Sequence, residues 1–412
     1  MIEYSEYSLP SGLTLLAHND ATTPMVTVNV LYAAGARDED PSHTGFAHLL
    51  EHLLFSGTER YPDYDLVVNR MGGENNAFTN NDYTNYYLTV PAEALEQAID
   101  LEVDRILNFD VTPRALEVQR QVVTEEYKQR YLGQPYGDVW LELRRLCYTT
   151  HPYRWAAIGA DIAHVQQATV DEVRRFHRRL YTPANAIMAV CGNIGSPDRV
   201  AEMVARRLPA TAACPEPRCL PAEPTQVERR VLELSREVPT PAIYKAYHIG
   251  PRLSRDYYVG DRLTDVLANG QSARLYDALV RQEWLMIEPN AYITGDLDPG
   301  LLVVCGKLRP GVTQAQAEQA IDAVLHRLST EGPTEYELQK AQNNYEANFL
   351  FSQYKPADRA FGLCYYRLLG HPEWVNTEPD NYRDLSADEL RLMANRLFVP
   401  EAESVIYYNI VS

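Results

Sequence analysis

Short apolar runs alternate with segments of helical periodicity along both halves of this chain. Runs rich in β-branched residues predict strands, and apolar residues recurring every three or four positions predict helices. Predicted strands span 26–33, 187–191, 243–248, 291–294 and 301–305. Predicted helices span 92–107, 170–179, 256–267, 273–282, 314–328 and 335–351, and Thr169 with Glu172 forms a capping box before the second of them. The alternation predicts an α+β fold with helices packed on one face of a mainly antiparallel sheet.

A proline-rich stretch divides the chain near its midpoint. Residues 209–228 contain five prolines, which do not fit inside helices or central strands. The stretch therefore predicts an extended linker. We expect a first domain at 1–208, the linker at 209–228 and a second domain at 229–412.

The two halves share a short motif that indicates duplication. Tyr32-x-x-Gly35-x-Arg37 follows a predicted strand in the first half, and Tyr247-x-x-Gly250-x-Arg252 follows a matching strand in the second. Each motif continues through a polar turn into a helix, and the two halves have nearly equal lengths. We therefore expect two homologous domains.

Composition and charge narrow the class of protein. Among 412 residues, 56 acidic and 38 basic side chains give a net charge of -18. Binding to nucleic acid needs a basic surface, so that class is disfavoured. No stretch approaches the roughly 20 apolar residues that span a bilayer. The start of the chain lacks the basic and apolar regions of a signal peptide, so we expect a cytoplasmic protein, although a leader removed by processing would leave no trace.

The segment from Gly45 to Gly57 carries the strongest chemical signal. Its apolar residues have helical spacing, and Gly57 is the expected end of the helix. His48 and His52 lie one turn apart on such a helix, offset by about 40°, so both imidazoles can bind one metal ion from the same side. Glu51 projects beside that ion, where a carboxylate can take a proton from a zinc-activated water.

Two histidines at this spacing are more often surface or capping residues than metal ligands. Here the helix is otherwise strongly apolar, and burying two imidazoles and a carboxylate without partners would be costly. A metal ion with a hydrogen-bonding outer shell removes that cost. The order H-x-x-E-H is the inverzincin signature, the reverse of H-E-x-x-H. We therefore expect one Zn²⁺ per chain.

With this motif the sequence resembles the pitrilysin/insulinase metallopeptidases, especially the half-size branch that includes mitochondrial processing peptidase and its bacterial relatives. The resemblance covers nearly the whole chain, and its ordered matches are far more specific than the five-residue motif alone. The matching segments are 9–15, expected as an opening strand, 45–58, 72–79, 84–87, 151–153 with Gly159, and 181–185.

The resemblance implies a third zinc ligand in a downstream helical segment of the pattern R-x-V-V-x-x-E. In this chain the segment is 120–126, which implies Glu126 as the ligand and leaves Glu125 open as the alternative. A helix turns about 100° per residue, so only one of the two can face the zinc. Many relatives have a supporting glutamate seven residues before the ligand. Gln119 stands there in this chain and can orient a neighbour without supplying charge.

The resemblance also implies a substrate-binding strand. Asn76, Ala77, Phe78 and Thr79 correspond to an exposed edge strand beside the zinc. An extended peptide can pair with the free backbone groups of such an edge whatever its sequence. From the residues alone, a turn leading into a core strand would fit this segment equally well.

The second half lacks the metal residues. Aligning the two Tyr-x-x-Gly-x-Arg motifs places Leu263, Val266 and Leu267 opposite the metal-helix trio, so that helix can only pack. Relatives carry an arginine and a tyrosine seven residues apart that contact the bound peptide. Here Arg281 matches the arginine, but Glu288 replaces the tyrosine.

These features imply a zinc endopeptidase that cleaves peptides or unfolded segments inside a closed chamber. In this branch two half-size chains close around the substrate. We expect a zinc-bearing subunit in a homodimer, or in a heterodimer with a zinc-free homologue that carries the Arg/Tyr pair. The alternative is an inert scaffold subunit of a larger complex with the same fold.

Overall fold

Two β-sheets with helices on their faces make up a computed structural model of the chain, which describes residues 1–210 and 219–411. The strands are β1 Ser5–Ser8, β2 Thr14–Asn19, β3 Met25–Tyr32, β4 Glu74–Thr79, β5 Thr84–Pro91, β6 Ala186–Gly192, β7 Arg230–Arg236, β8 Ala242–His248, β9 Met286–Ile293, β10 Leu301–Leu308 and β11 Glu403–Ile410. The helices are α1 Phe46–Leu53, α2 Tyr64–Arg70, α3 Leu95–Asn108, α4 Pro113–Tyr127, α5 Val139–Cys147, α6 Ile162–Gln167, α7 Val170–Leu180, α8 Pro197–Arg207, α9 Arg255–Ala268, α10 Arg274–Tyr276, α11 Gln314–Glu331, α12 Glu335–Phe351, α13 Pro356–Leu368, α14 Trp374–Thr377, α15 Asp380–Arg383 and α16 Ala387–Leu397.

Most of the predicted elements are present, and three differ. The predicted helix 273–282 is the single turn α10 followed by a π-helix at Asp277–Gln282. The predicted strand 291–294 begins earlier, as β9 at Met286. Its first half was not predicted because it contains Pro289, and a proline argues against a strand. The expected opening strand 9–15 is mostly a tight turn, in which Gly12 has a φ of 87° and β2 starts only at Thr14.

The two sheets repeat one topology. The first has the order β1-β2-β6-β3-β5-β4 and the second has the order β7-β11-β8-β10-β9. Apart from β1, both run through one parallel pair and then three antiparallel pairs. The prediction of two homologous α+β domains is therefore confirmed.

The strand register makes the last four residues of β4 and β9 equivalent, up to a bulge in the pairing of β9 with β10. Thr79 of β4 lies opposite the same β5 residue as Tyr32 of the duplicated motif. Ile293 of β9 lies opposite the same β10 residue as Tyr247 of the second copy. Thr79 and Ile293 therefore occupy equivalent positions at the ends of the two edge strands.

This equivalence reveals a second repeat that the sequence analysis missed. Asn76-Ala77-Phe78 in β4 corresponds to Asn290-Ala291-Tyr292 in β9. In both strands the asparagine side chain accepts the N–H of the following alanine, at 2.8 Å in β4 and 2.9 Å in β9. A search for Asn-Ala-aromatic at one residue less than the spacing of the first motif would have found the second copy.

The described residues form two compact units that are not contiguous in sequence. The first unit contains Met1–Lys128, Trp155–Pro221 and Leu350–Thr377. The second unit contains Gln129–Arg154, Ala222–Phe349 and the remaining C-terminal segment. The two units therefore differ from the predicted halves 1–208 and 229–412 by two exchanged segments. Residues 211–218 of the predicted linker lie outside the described residues.

The exchanged segments join the other unit because each supplies a helix that covers a sheet. In the first unit, Leu363 and Cys364 of α13 pack on Leu31 and Cys191 of the first sheet. Successive residues along a strand point to opposite faces of the sheet, so the sheet has a second face to bury. Helices α1, α3 and α8 also contact the strands of this sheet and cover that other face.

In the second unit, Val139 and Leu143 of α5 pack on Ala242 and Ala246 of β8. In each unit an exchanged helix therefore packs on the sheet. No helix within the described residues is long and apolar enough to cross a membrane.

Candidate metal centre

Helix α1 is fixed in place by its apolar face. Phe46, Leu49, Leu50 and Leu53 are at most 2% exposed. Their spacing leaves the two histidines and Glu51 on the remaining side of the helix. The sequence pattern thus places one face of α1 in the core and leaves the two histidines and Glu51 on the other face.

Helix α4 brings the third residue to this polar face. It begins after Thr112, whose side chain accepts the N–H of Ala115 at 3.1 Å, and Leu116 and Val123 bury one of its sides. α4 contacts α1, and Glu126 lies near the C-terminal end of α4. The packing of α4 against α1 therefore places Glu126 on the same side as the two histidines.

Three side chains converge between α1 and α4. Oε2 of Glu126 lies 3.7 Å from Nε2 of His48 and 3.3 Å from Nε2 of His52. The two imidazole rings are 4.8 Å apart between centroids and are inclined at 76°. One nitrogen or oxygen from each of the three residues lies within 4.8 Å of the others. Within residues 1–210 and 219–411 this is the one group of three or more His, Cys, Asp or Glu side chains close enough to share a metal ion.

The structure distinguishes between the two candidate glutamates. Glu125 points away from the group, is exposed and pairs with Lys128 at 2.7 Å. Glu126 is half-buried and faces the two histidines. The placement agrees with the choice of Glu126 over the alternative Glu125.

The geometry of the donors fits zinc. Two imidazole nitrogens and one carboxylate oxygen are a common ligand set for catalytic zinc, with bond lengths of about 2.0–2.2 Å. Tetrahedral ligands at such lengths lie about 3.3–3.6 Å from one another. The two nitrogen–oxygen separations of 3.3 and 3.7 Å are close to that range. Small shifts of the side chains would therefore suffice to hold the ion, with one position left for water or substrate.

Glu51 is held beside the three candidate ligands by the edge strand. The hydroxyl of Thr79 donates a hydrogen bond to Oε2 of Glu51 at 2.6 Å. Thr79 is the last residue of β4, and Glu51 precedes His52 on α1. The sequence analysis placed Thr79 with the substrate-binding residues. The structure gives it a direct contact with the expected proton acceptor.

Strand β4 lies at the edge of the first sheet and pairs only with β5. Its exposed residues alternate with half-buried ones, and Phe78 leaves 37% of its surface in solvent. The outward N–H of Ala77 is covered by the side chain of Asn76. An incoming peptide strand could replace that side chain as the partner of the N–H.

The other predicted site residues are Gln119 and Arg281, with Glu288 in place of the family tyrosine. Gln119 is half-buried on α4, and among the described residues it forms no hydrogen bond with the three candidate ligands. Arg281 belongs to the second unit, where its guanidinium lies over the ring of Tyr276 at 5.6 Å. Glu288 has a φ of 53° and pairs with Lys307 at 3.2 Å.

The helix of the second unit that corresponds to α1 has apolar residues at the three positions of the candidate site. Leu263, Val266 and Leu267 of α9 are at most 1% exposed. They stand where the first unit has His48, Glu51 and His52.

Two family models match this chain. Residues 14–132 match the model described as insulinase, peptidase family M16, and residues 167–345 match the M16 inactive domain. The chain belongs to the M16 peptidase family. In this M16 chain the insulinase model covers α1 and α4, and the inactive-domain model covers most of the later part, including α9.

Known proteins extend the similarity over the whole chain. The M16 chain is 25% identical to the zinc protease PqqE of Helicobacter pylori, across 98% of this chain and 92% of the relative. It is 26% identical to the mitochondrial-processing peptidase subunit beta of Caenorhabditis elegans, across 45% of this chain and 41% of that one. A crystal structure of a protease from Helicobacter pylori superimposes with a TM-score of 0.91 at 24% identity, covering 99% of this chain and all of the other.

Proposed function

We propose that this M16 chain is a zinc-dependent endopeptidase. The observation that carries the proposal is the convergence of His48, His52 and Glu126, with Glu51 held next to them by Thr79. Zinc in such a site polarises a carbonyl group and activates water at neutral pH. The names of the zinc protease relatives support the same chemistry.

Glu51 is the proton carrier in this proposal. Its carboxylate takes the proton of the attacking water and later gives it to the nitrogen of the leaving amine. The hydrogen bond from Thr79 fixes the orientation of the carboxylate. The general base therefore does not have to find its orientation during the reaction.

Strand β4 binds the substrate in an extended conformation. The backbone groups along its open edge can pair with any peptide, which accounts for broad sequence tolerance. The exposed ring of Phe78 offers an apolar contact for one side chain of the peptide. Only unfolded or short substrates can adopt this conformation, so we expect folded proteins to resist cleavage.

The substrate contacts of the second unit are incomplete by comparison with the relatives. Arg281 is present, but Glu288 cannot act as a tyrosine does towards a peptide carbonyl. We propose that full activity needs a second subunit, either another copy or a zinc-free homologue that supplies an Arg/Tyr pair. The chain would then be the zinc-bearing member of the pair.

The test combines metal analysis with cleavage of a quenched fluorescent peptide by the full chain. Wild-type protein should carry one zinc ion per chain and cleave the peptide in a chelator-sensitive manner. Glu51→Gln should keep zinc and lose turnover, whereas the control Glu125→Gln alters an exposed neighbour and should behave as wild type. Cleavage by Glu51→Gln would remove Glu51 from its role. Protein that holds no zinc, and cleaves nothing with or without a co-purified partner, would favour the inert scaffold.

A further inference from the structure

Helix α1 lacks an ordinary N-terminal cap. Its N-cap residue is Gly45, with a φ of 87° and no side chain that could accept a hydrogen bond. The nearest hydroxyl, on Thr44, instead accepts the N–H of Ala160 at 2.7 Å. The first N–H groups of a helix need acceptors from elsewhere when they are buried. The helix that carries His48 and His52 therefore depends on a distant residue.

Glu39 supplies those acceptors. Its Oε2 accepts the N–H of Gly45 at 2.9 Å, and its Oε1 accepts the N–H of Ala47 at 2.8 Å. The side chain is buried, and Ala47 directly precedes His48. Burial raises the pKa of the Glu39 carboxyl to about 8, while the two backbone N–H groups oppose the rise and neighbouring Asp38 adds to it.

The segment that carries Glu39 is attached to the turn that follows the edge strand β4. The N–H of Ala36 donates to the carbonyl of Asn80 at 3.0 Å, and the N–H of Arg37 donates to that of Asn81 at 2.8 Å. The guanidinium of Arg37 also pairs with Asp82 at 3.0 Å, and both side chains are buried. The start of α1 is thus tied, through Glu39, to the end of the strand that would hold the substrate.

In the second unit, the corresponding helix α9 has an ordinary N-terminal cap. Aligning the two Tyr-x-x-Gly-x-Arg motifs places Ser254 at the position of Glu39. Ser254 is the N-cap of α9 and accepts the N–H of Tyr257 at 3.3 Å. A buried carboxyl is a more costly cap than a partly exposed hydroxyl. The costlier cap occurs in the unit whose helix carries the candidate metal residues.

We propose that Glu39 is a positioning residue for the peptidase site. By holding the first turn of α1 against the turn after β4, it sets His48 and His52 towards Glu126 and sets Glu51 towards Thr79. The inference rests on the proposed function for its effect on turnover. The expected effect of Glu39 on the helix rests only on the hydrogen bonds that Glu39 accepts from Gly45 and Ala47.

The test replaces Glu39 with glutamine in the full chain. Glu39→Gln keeps the volume but turns one acceptor oxygen into an NH₂ donor that faces a backbone N–H. We expect the zinc dissociation constant, measured by competition with a chromophoric chelator, to rise about 10-fold or more, as for other residues that orient metal ligands. We also expect kcat to fall about 10-fold while KM changes little, because the loss concerns alignment and not substrate binding.

The matched control is Glu389→Gln. Glu389 accepts the N–H of Ser386 at 2.9 Å in the capping box of α16, which carries none of the proposed site residues. This control should lower thermal stability without altering zinc affinity or kcat. Glu39→Asp keeps two acceptor oxygens one methylene further away, so its values should fall between glutamine and wild type.

Amide hydrogen exchange tests whether Glu39 holds the start of α1, independently of any effect on turnover. Exchange at Gly45 and Ala47 should accelerate in Glu39→Gln and stay unchanged in Glu389→Gln. Wild-type zinc affinity and kcat in Glu39→Gln would overturn the positioning role even if its melting temperature fell. Wild-type protein that neither binds zinc nor cleaves peptide would refute the proposed function, and unchanged exchange at the two amides would independently refute the role of Glu39 in holding α1.

Discussion

Replacing Thr79 with valine tests whether the edge strand holds Glu51 for its proposed role. The Thr79 hydroxyl donates to Oε2 of Glu51 at 2.6 Å, and valine keeps the shape of the side chain while removing the donor. A hydrogen bond to a charged group contributes about 1.5–3 kcal/mol. Since about 1.4 kcal/mol corresponds to a tenfold change in rate, the expected fall in kcat is about 10- to 150-fold.

The assay measures kcat and zinc content of the same preparations. Zinc content should stay at the wild-type value, because Thr79 is not among the three candidate ligands. Thr79→Ser retains the hydroxyl donor and should recover most of the lost turnover. Wild-type kcat in Thr79→Val would show that the hydrogen bond does not position the proton acceptor. Loss of zinc in Thr79→Val would show that the variant disturbs more than Glu51.

Three further predictions follow from the geometry. Glu126→Gln should lose zinc during dialysis while Glu125→Gln retains it, as measured by metal analysis, and the reverse result would exchange their roles. Glu288→Tyr should raise kcat/KM of the chain assayed without a partner, and no change would argue against a missing tyrosine contact. Because the pKa of Glu39 is raised from 4.5 to about 8, the folded state keeps this proton longer than the unfolded state, so the contribution of Glu39 to the free energy of unfolding should fall as pH rises from about 4.5 to 8. The stability of wild type relative to Glu39→Gln, measured by urea unfolding, should therefore fall between pH 6 and pH 8 by up to about 2 kcal/mol, and a constant difference would contradict the shift.

Local spacing was sufficient to predict the polar face of α1. His48 and His52 are four residues apart, and helical geometry alone brings two such side chains together. Glu126 could not be reached in this way, because its approach depends on how α1 and α4 pack. The resemblance to known peptidases supplied it, and the direction of each side chain on α4 then distinguished it from Glu125.

The exchanged helices show where the sequence pattern fails. The apolar residues of α5 and α13 predict that each helix buries one face, but the pattern does not say which sheet receives it. A division at the proline-rich stretch places α5 in the first half and α13 in the second, whereas α5 belongs to the second compact unit and α13 to the first. Contacts between segments far apart in sequence decide which sheet each helix packs on, and hydrophobic periodicity does not report such contacts.

Glu39 escaped prediction for a related reason. A lone glutamate in a polar turn is usually a solvated residue, and nothing in its spacing marks it as buried. The available signal was the glycine at the start of an otherwise apolar helix, which left the first N–H groups of α1 without a local acceptor. The residue that fills this role becomes identifiable only when the fold brings it to the helix.

Comparison of the two units separates what the fold requires from what the chemistry requires. Where the first unit has Glu51 hydrogen-bonded to Thr79, the second has Val266 and Ile293 at the equivalent positions. An apolar pair stabilises a helix against an edge strand without any partner, whereas a carboxylate there must be compensated by donors and nearby positive charge. The second unit keeps the same strand order with the apolar pair, so the fold does not need the polar one. The polar residues of the first unit therefore need an explanation other than stability, and the proposed zinc ion with a substrate at the β4 edge would provide it.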